Sequence, residues 1–209
     1  ECITQKYLNA TPFRAYVRQN WTANQWRLHR WAYCRLTEMV DAEIGTVLDA
    51  LREAGLEDNT LIVFTSDHGD MDSAHKMEHK SVLYEESVRV PFIMSYRGMI
   101  PEGRIDDMHL VSNGLDLLPT LCDYAGIETP EGLYGMSLRA LAQGKDIKEW
   151  RSFVVSESQN GRMLRIGRFK YCIYDSGRDR EQLIDLKYDP GEMKNLAKVE
   201  DYKAVLNTH

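Results

Sequence analysis

The chain has 209 residues, 43% of them hydrophobic and 28% charged, with a formal net charge of -6. That length supports one good core, or a core with a small second unit. An acidic balance with no basic surface argues against nucleic acid as a partner, and no apolar run approaches the roughly 20 residues that span a bilayer. The cysteines Cys2, Cys34, Cys122 and Cys172 are widely spaced. They fit neither a zinc ribbon nor a disulfide scaffold, and are expected to be buried or free thiols. The first residue is Glu1 and no signal-peptide pattern precedes it, so the chain is expected to be processed or cut from something longer.

Residues 1–24 show no clear period, with Trp21 the first apolar anchor. From Arg27 to Ala54 the pattern is helical: Leu36, Met39, Val40, Ile44, Val47, Leu48 and Leu51 form one stripe. Gly55 is placed to cap it. Leu61–Thr65 is an apolar, β-branched run that suits a buried parallel strand. A short helix is predicted at Ser81–Ser87 and a second strand at Val90–Ser95. Ser112–Ala125 reads as a helix closed by Gly126, with Pro119 a candidate kink. Past a polar stretch at Gln143–Glu149 the pattern turns to short strands: Phe153–Val155, Met163–Ile166, Phe169–Tyr174 and Gln182–Leu186. Asn160-Gly161 is the hairpin dipeptide. A helix is expected within Asn195–Leu206. The predicted division is an α/β core over residues 1–145 and a small α+β subdomain over 146–209, an antiparallel sheet with a C-terminal helix.

The densest chemistry follows the first strand. Thr65–Lys80 reads TSDHGDMDSAHKMEHK, with three histidines, three aspartates and two lysines. In α/β sheets, ligands bind beyond the carboxyl ends of strands. Asp67 offers a hard oxygen to a divalent cation and His68 a nitrogen better suited to Mn²⁺ or Zn²⁺ than to Ca²⁺. The plain alternative is a polar turn. His75 and His79 lie one helical turn apart, but Glu78 is misplaced for an H-E-x-x-H zinc site.

Several ordered motifs resemble the sulfatase family of the alkaline-phosphatase superfamily. They are LIVFTSDHGD at Leu61–Asp70, His75, Lys80, YEESVRVPFI at Tyr84–Ile93, LDLLPT at Leu115–Thr120 and LIDLKYDPGEMKNLA at Leu183–Ala197. The upstream helix carries MVDAEIG at Met39–Gly45 and LDAL at Leu48–Leu51. The resemblance implies the C-terminal part of a sulfatase-like mixed or parallel sheet flanked by helices. It implies Asp67 and His68 as metal ligands, with Ca²⁺ the family's usual ion and Mn²⁺ or another divalent ion left open. Lys80 falls on the family lysine that contacts sulfate oxygens, and His75 on a histidine near the substrate, for contact or proton transfer. The implied substrate is a sulfated small molecule or glycan. The implied compartment is periplasmic, secreted or lysosomal.

The likeness stops at the nucleophile. The family uses a formylglycine made within C-x-P-x-R or S-x-P-x-R, and no cysteine or serine here stands in that context. The paired aspartates that open the family's first strand are absent; Asp106-Asp107 lies in a loop. The nucleophile is therefore expected in an N-terminal portion of the same protein, and this chain alone is expected to be inactive. Two other readings stand beside it: a phosphodiester or phosphonate ester hydrolase of the same superfamily, and a non-catalytic sulfatase-like binding module. Arg162, Arg165 and Arg168 are open to two readings, anion contacts or surface charges on strands.

Overall fold

The computed structural model describes residues 12–209; Cys2 and the stretch before Pro12 lie outside them. The described residues open with two helices, α1 (Pro12–Asn20) and α2 (Ala23–Glu53). The sequence pattern leaves residues before Arg27 irregular. α1 lies within the stretch that shows no clear period, and its Val17 is fully buried. α2 begins earlier than its stripe does because Thr22 and Gln25 form a capping box. The Thr22 amide donates to Gln25 Oε1 at 2.8 Å, and the Gln25 amide reaches back to Thr22 Oγ1 at 3.4 Å.

The remaining elements are β1 (Ile62–Thr65), α3 (Glu85–Val88), β2 (Phe92–Ser95), α4 (Asn113–Ala125) and α5 (Arg139–Ala142). Then come β3 (Phe153–Ser158), β4 (Gly161–Ile166), β5 (Phe169–Tyr174), β6 (Glu181–Asp185) and α6 (Lys203–Thr208). Contacts group the described residues into two compact units.

The first unit holds the residues up to Arg30, His68–Arg89 and Ser152–His209. Its frame is an antiparallel meander, β3-β4-β5-β6, as the short-strand pattern predicts. The Asn160-Gly161 turn joins β3 to β4, with Ser158 opposite Gly161. One face of β4 and β5, carrying Met163, Cys172 and Tyr174, packs against Met71, Met77, Val82 and Leu83, all nearly or fully buried. The segment 189–196 is sewn to β6: Asn195 Oδ1 accepts from the Leu183 amide at 3.1 Å, and the Leu196 amide donates to the Leu183 carbonyl at 2.8 Å.

The second unit holds Trp31–Asp67 and Val90–Arg151. β1 and β2 pair antiparallel, with Ile62 opposite Ser95 and Thr65 opposite Phe92. Among the described residues the parallel pairing expected for β1 does not form. The strand beside β1 among them is β2, and their register runs antiparallel. Nor is the run buried on both faces: Phe64 and Ile93 are exposed. α4 continues through Pro119, and Gly126 closes it at φ +68° with its amide on Asp123 O. At its start the fully buried Asp116 accepts from the Ser112 amide (2.8 Å) and the Met136 amide (2.9 Å) and takes a two-pronged ion pair from Arg151. A charge buried so deeply is tolerable only because every lone-pair direction is filled.

Much of the apolar stripe of α2 is bare: Leu36, Met39, Val40 and Val47 are each at least 58% exposed. Leu115, Leu118 and Leu121 of α4 are exposed too. Among the described residues no helix is long and apolar enough to cross a membrane. Cys34 is free and exposed, and Cys122 and Cys172 are free and buried; burial pushes the Cys172 thiol up to about 12.

Candidate functional site

β1 ends two residues before Asp67. Its last residue is tied to the residue before β2 by Thr65 Oγ1 donating to Pro91 O at 2.8 Å, and Asn113 Nδ2 donates to the Ser66 carbonyl. Asp67 follows directly, with an exposed side chain. The next residues belong to the first unit. His68 Nδ1 lies 2.8 Å from the Gly69 carbonyl. A carbonyl only accepts, so Nδ1 carries the proton and Nε2 keeps its lone pair. Lys80 Nζ, arriving from twelve residues downstream, donates to that Nε2.

Gly69 is fixed by close approach. Its amide donates to Ser87 O at 2.8 Å. A Cβ built on it would stand 1.9 Å from the Glu86 carbonyl oxygen, so no side chain fits. The end of α3 is thereby clamped against the turn that presents His68.

From Met71 to Leu83 the backbone is a compact knot. The Met71 amide donates to His79 O (2.8 Å), Ser73 to Met77 O (2.9 Å) and Met77 to Ala74 O (2.9 Å). Asp72, Ser73, His75, Lys76, His79 and Ser81 all have positive φ, between 38° and 83°. At roughly 1 kcal/mol for each non-glycine residue, such a segment stores several kcal/mol of strain. Four buried side chains, Met71, Met77, Val82 and Leu83, each contribute about 1.5–3 kcal/mol, enough to hold it.

His75 and Lys80 sit differently. The His75 ring is half-buried and stacked on Tyr84, centroids 3.9 Å apart and 16° from parallel. Arg18 grips its carbonyl from α1. Burial lowers the His75 pKa from its ordinary value, against the raising pull of Glu86 and aided by Arg18. The imidazole is thus neutral at pH 7. Tyr84 is pushed up to about 12 by burial and by the charge of Glu192, against a hydrogen bond with Gln182. Lys80, by contrast, is exposed. His79 contributes its carbonyl to the knot, and no metal cluster of three or more His, Cys, Asp or Glu side chains forms among the described residues.

For a divalent cation, Asp67 supplies a carboxylate and His68 an imidazole whose Nε2, here accepting from Lys80 Nζ, would have to exchange that hydrogen bond for a bond to a Lewis acid. That chemistry suits such an ion. Two donors are fewer than the six to eight oxygens of a Ca²⁺ site.

The three arginines all meet carboxylates: Arg162 with Glu157 (2.5 Å), Arg165 with Glu85 (3.4 Å) and Arg168 with Asp185 (3.2 Å). Their role in this structure is pairing.

The family comparisons bear on the same segments. The description "Sulfatase" matches residues 4–127, and "N-sulphoglucosamine sulphohydrolase, C-terminal" matches residues 73–208. Each spans more than half of the chain.

The chain belongs to the sulfatase family.

Within that family it is 37% identical, over 98% of its length, to a Delta 4,5-hexuronate-2-O-sulfatase of Bacteroides thetaiotaomicron, of which it covers 44%. It superposes on the solved structure of a 2-O GAG sulfatase with a TM-score of 0.84 at 38% identity, over 90% of this chain and 42% of that one. It also superposes on a phosphonate monoester hydrolase of Agrobacterium radiobacter, with a TM-score of 0.80 at 29% identity, over 90% of this chain and 41% of that one. This sulfatase-family chain thus spans less than half the length of these relatives. Their likeness extends across the C-terminal sheet as well as the Asp67–Lys80 segment.

Sequence reasoning missed the residues that hold the loop: Arg18, Tyr84 as a stacking platform, Lys170 and Glu192. Lysine in a strand reads as a surface residue. The available signal was alternation, since Lys170 shares the inward register with Cys172 and Tyr174.

Proposed function

We propose that this chain forms one wall of the active site of an enzyme that hydrolyses sulfate esters of glycans. The observation that carries the reading is the Asp67-His68-Gly69 turn at the end of β1, with His68 Nδ1–H tied to its neighbour's carbonyl and the Lys80 ammonium at Nε2. Asp67 and His68 are assigned as ligands of a divalent cation, Ca²⁺ or Mn²⁺, which when bound supplies Lewis-acid stabilisation of the sulfuryl oxygens. Lys80 is assigned to those oxygens, where a fixed ammonium stabilises the negative charge of the transition state. His75, neutral and held flat on Tyr84, is placed to contact the substrate or carry a proton. Glycan substrates are favoured by the names of the hexuronate-2-O-sulfatase and the 2-O GAG sulfatase it resembles.

The nucleophile is assigned to an N-terminal portion of the same protein, as a formylglycine. Support comes from the absence of a C-x-P-x-R or S-x-P-x-R motif in these residues and from the bare apolar stripes of α2 and α4, which need covering. The purified chain is expected to release no sulfate from an aryl sulfate above a Lys80→Ala control. The reading frame upstream of Glu1 is expected to encode the missing motif. Turnover by the isolated chain, or an upstream frame without that motif, would overturn this assignment. The likeness to the phosphonate monoester hydrolase favours a second reading, an ester hydrolase acting on phosphonates, which paired substrates separate.

A further inference from the structure

Below the 71–84 loop lies a buried charge network that the hydrolytic chemistry does not use. Lys170, on the central strand β5, is completely buried. All three of its ammonium protons are engaged: with the Leu83 carbonyl at 2.9 Å, Glu85 Oε1 at 3.0 Å and Glu192 Oε1 at 2.5 Å. Glu192 Oε2 accepts from the backbone amide of Glu85 at 2.5 Å. Arg165 adds a second cation to Glu85 at 3.4 Å, so two positive and two negative groups balance. Glu192 sits at φ 52°, in a turn whose Asp189 carboxylate accepts the amides of Met193 and Lys194.

The partners lie far apart in sequence and meet at one place, the exit of the strained loop. Residues 83–85 directly follow the segment bearing His75 and Lys80. Its C-terminal end is therefore tied by charge to the middle of the sheet and to the 189–196 turn. We propose that Lys170 and Glu192 are positioning residues, which fix the exit of the 71–84 loop and through it the presentation of Lys80 and of the His75–Tyr84 stack. The bearing on catalysis rests on the roles assigned above to Lys80 and His75; the positioning itself does not. Two features separate this from ordinary core stabilisation. Glu192 bonds the backbone amide of Glu85, the residue directly after the loop, and burial pushes its carboxyl up from the ordinary value even though Lys170 pulls it down. A costly buried carboxylate is thus kept where a methionine or leucine would serve packing alone.

The test is amide hydrogen exchange by mass spectrometry on the chain, comparing Glu192→Ala with Glu192→Gln. The alanine variant is expected to speed exchange of peptides within 71–84 at least tenfold while β4 and β5 peptides keep their protection. The glutamine variant, which retains an acceptor for the Glu85 amide, is expected to restore most of the loop's protection. Unchanged loop exchange in the alanine variant overturns the proposal. So does an equal rise across loop and sheet, or a glutamine variant no better than alanine. If Glu192→Ala does not fold, Glu85→Gln, which weakens one ion pair of Lys170, is read in the same way. Exchange is independent of turnover. A loosened loop with Lys80-independent activity in the complete protein would remove the sulfatase roles and leave the positioning intact.

Discussion

Gly69→Ala is the sharpest small perturbation of the site. The added methyl carbon would lie 1.9 Å from Glu86 O, 3.0 Å from Glu86 C and 3.4 Å from Ser87 Cα, all backbone atoms. Side-chain rotation cannot relieve that overlap. To reach even 3.0 Å the carbonyl must withdraw by about 1.1 Å (3.0 − 1.9). The neighbouring bond from the Gly69 amide to Ser87 O, 2.8 Å long, does not survive such a shift. Overpacking costs about 1–3 kcal/mol and the lost hydrogen bond about 1 kcal/mol. The sum, about 2–4 kcal/mol, corresponds to a fall in Tm of roughly 4–16 °C for a chain of this size. Thermal unfolding followed by circular dichroism measures it. The shift also drags α3, and with it Glu85, away from Lys170, so sulfate-ester turnover by the complete protein should fall alongside Tm. A Tm within 1 °C of the unmodified chain would refute the close-approach argument.

Other outcomes follow from the same geometry. Lys170→Met leaves the buried Glu192 and the largely buried Glu85 without their shared cation, and should cost about 3–5 kcal/mol in urea unfolding at pH 8. That cost should shrink toward pH 5. The Glu192 carboxyl is already raised by burial, so the folded state holds its proton above the pH at which the unfolded chain releases it, and stability declines as pH rises through that window. A cost that is flat or grows toward pH 5 would contradict this linkage. Asp67→Ala or a chelator should abolish sulfate-ester turnover in the complete protein, with restoration by Ca²⁺ or Mn²⁺ only in the unmodified enzyme. Turnover that persists in EDTA would remove the metal assignment.

What could be read from the sequence was periodic. The stripe from Leu36 to Leu51, the run Leu61–Thr65 and the alternation after Phe153 gave α2, β1 and the meander, because period alone distinguishes 3.6-residue from two-residue repeats. Antiparallel pairing of β1 and β2 was not legible, since an apolar run carries no direction. α1 was hidden because residues 1–24 show no clear apolar period. The site was legible as a motif, and its conformation was not. Six left-handed residues between Asp72 and Ser81 have no local signature; they are imposed by Met71, Met77, Val82 and Leu83 seating on the sheet. Lys170 escaped notice because a lysine in a strand reads as a surface residue, while the structure turns Lys170, Cys172 and Tyr174 inward. The C-terminal sheet thus serves as the platform on which the Lys80 segment is built.

The central claim, that Lys80 and the Asp67-His68 turn serve sulfate-ester hydrolysis, is tested most directly by kinetics of the complete protein on an aryl sulfate and its matched aryl phosphonate, with and without Lys80→Ala. The account predicts a higher kcat/KM on the sulfate and a loss of roughly 100-fold or more on removing Lys80. A preference for the phosphonate, or sulfate turnover indifferent to Lys80, would contradict it.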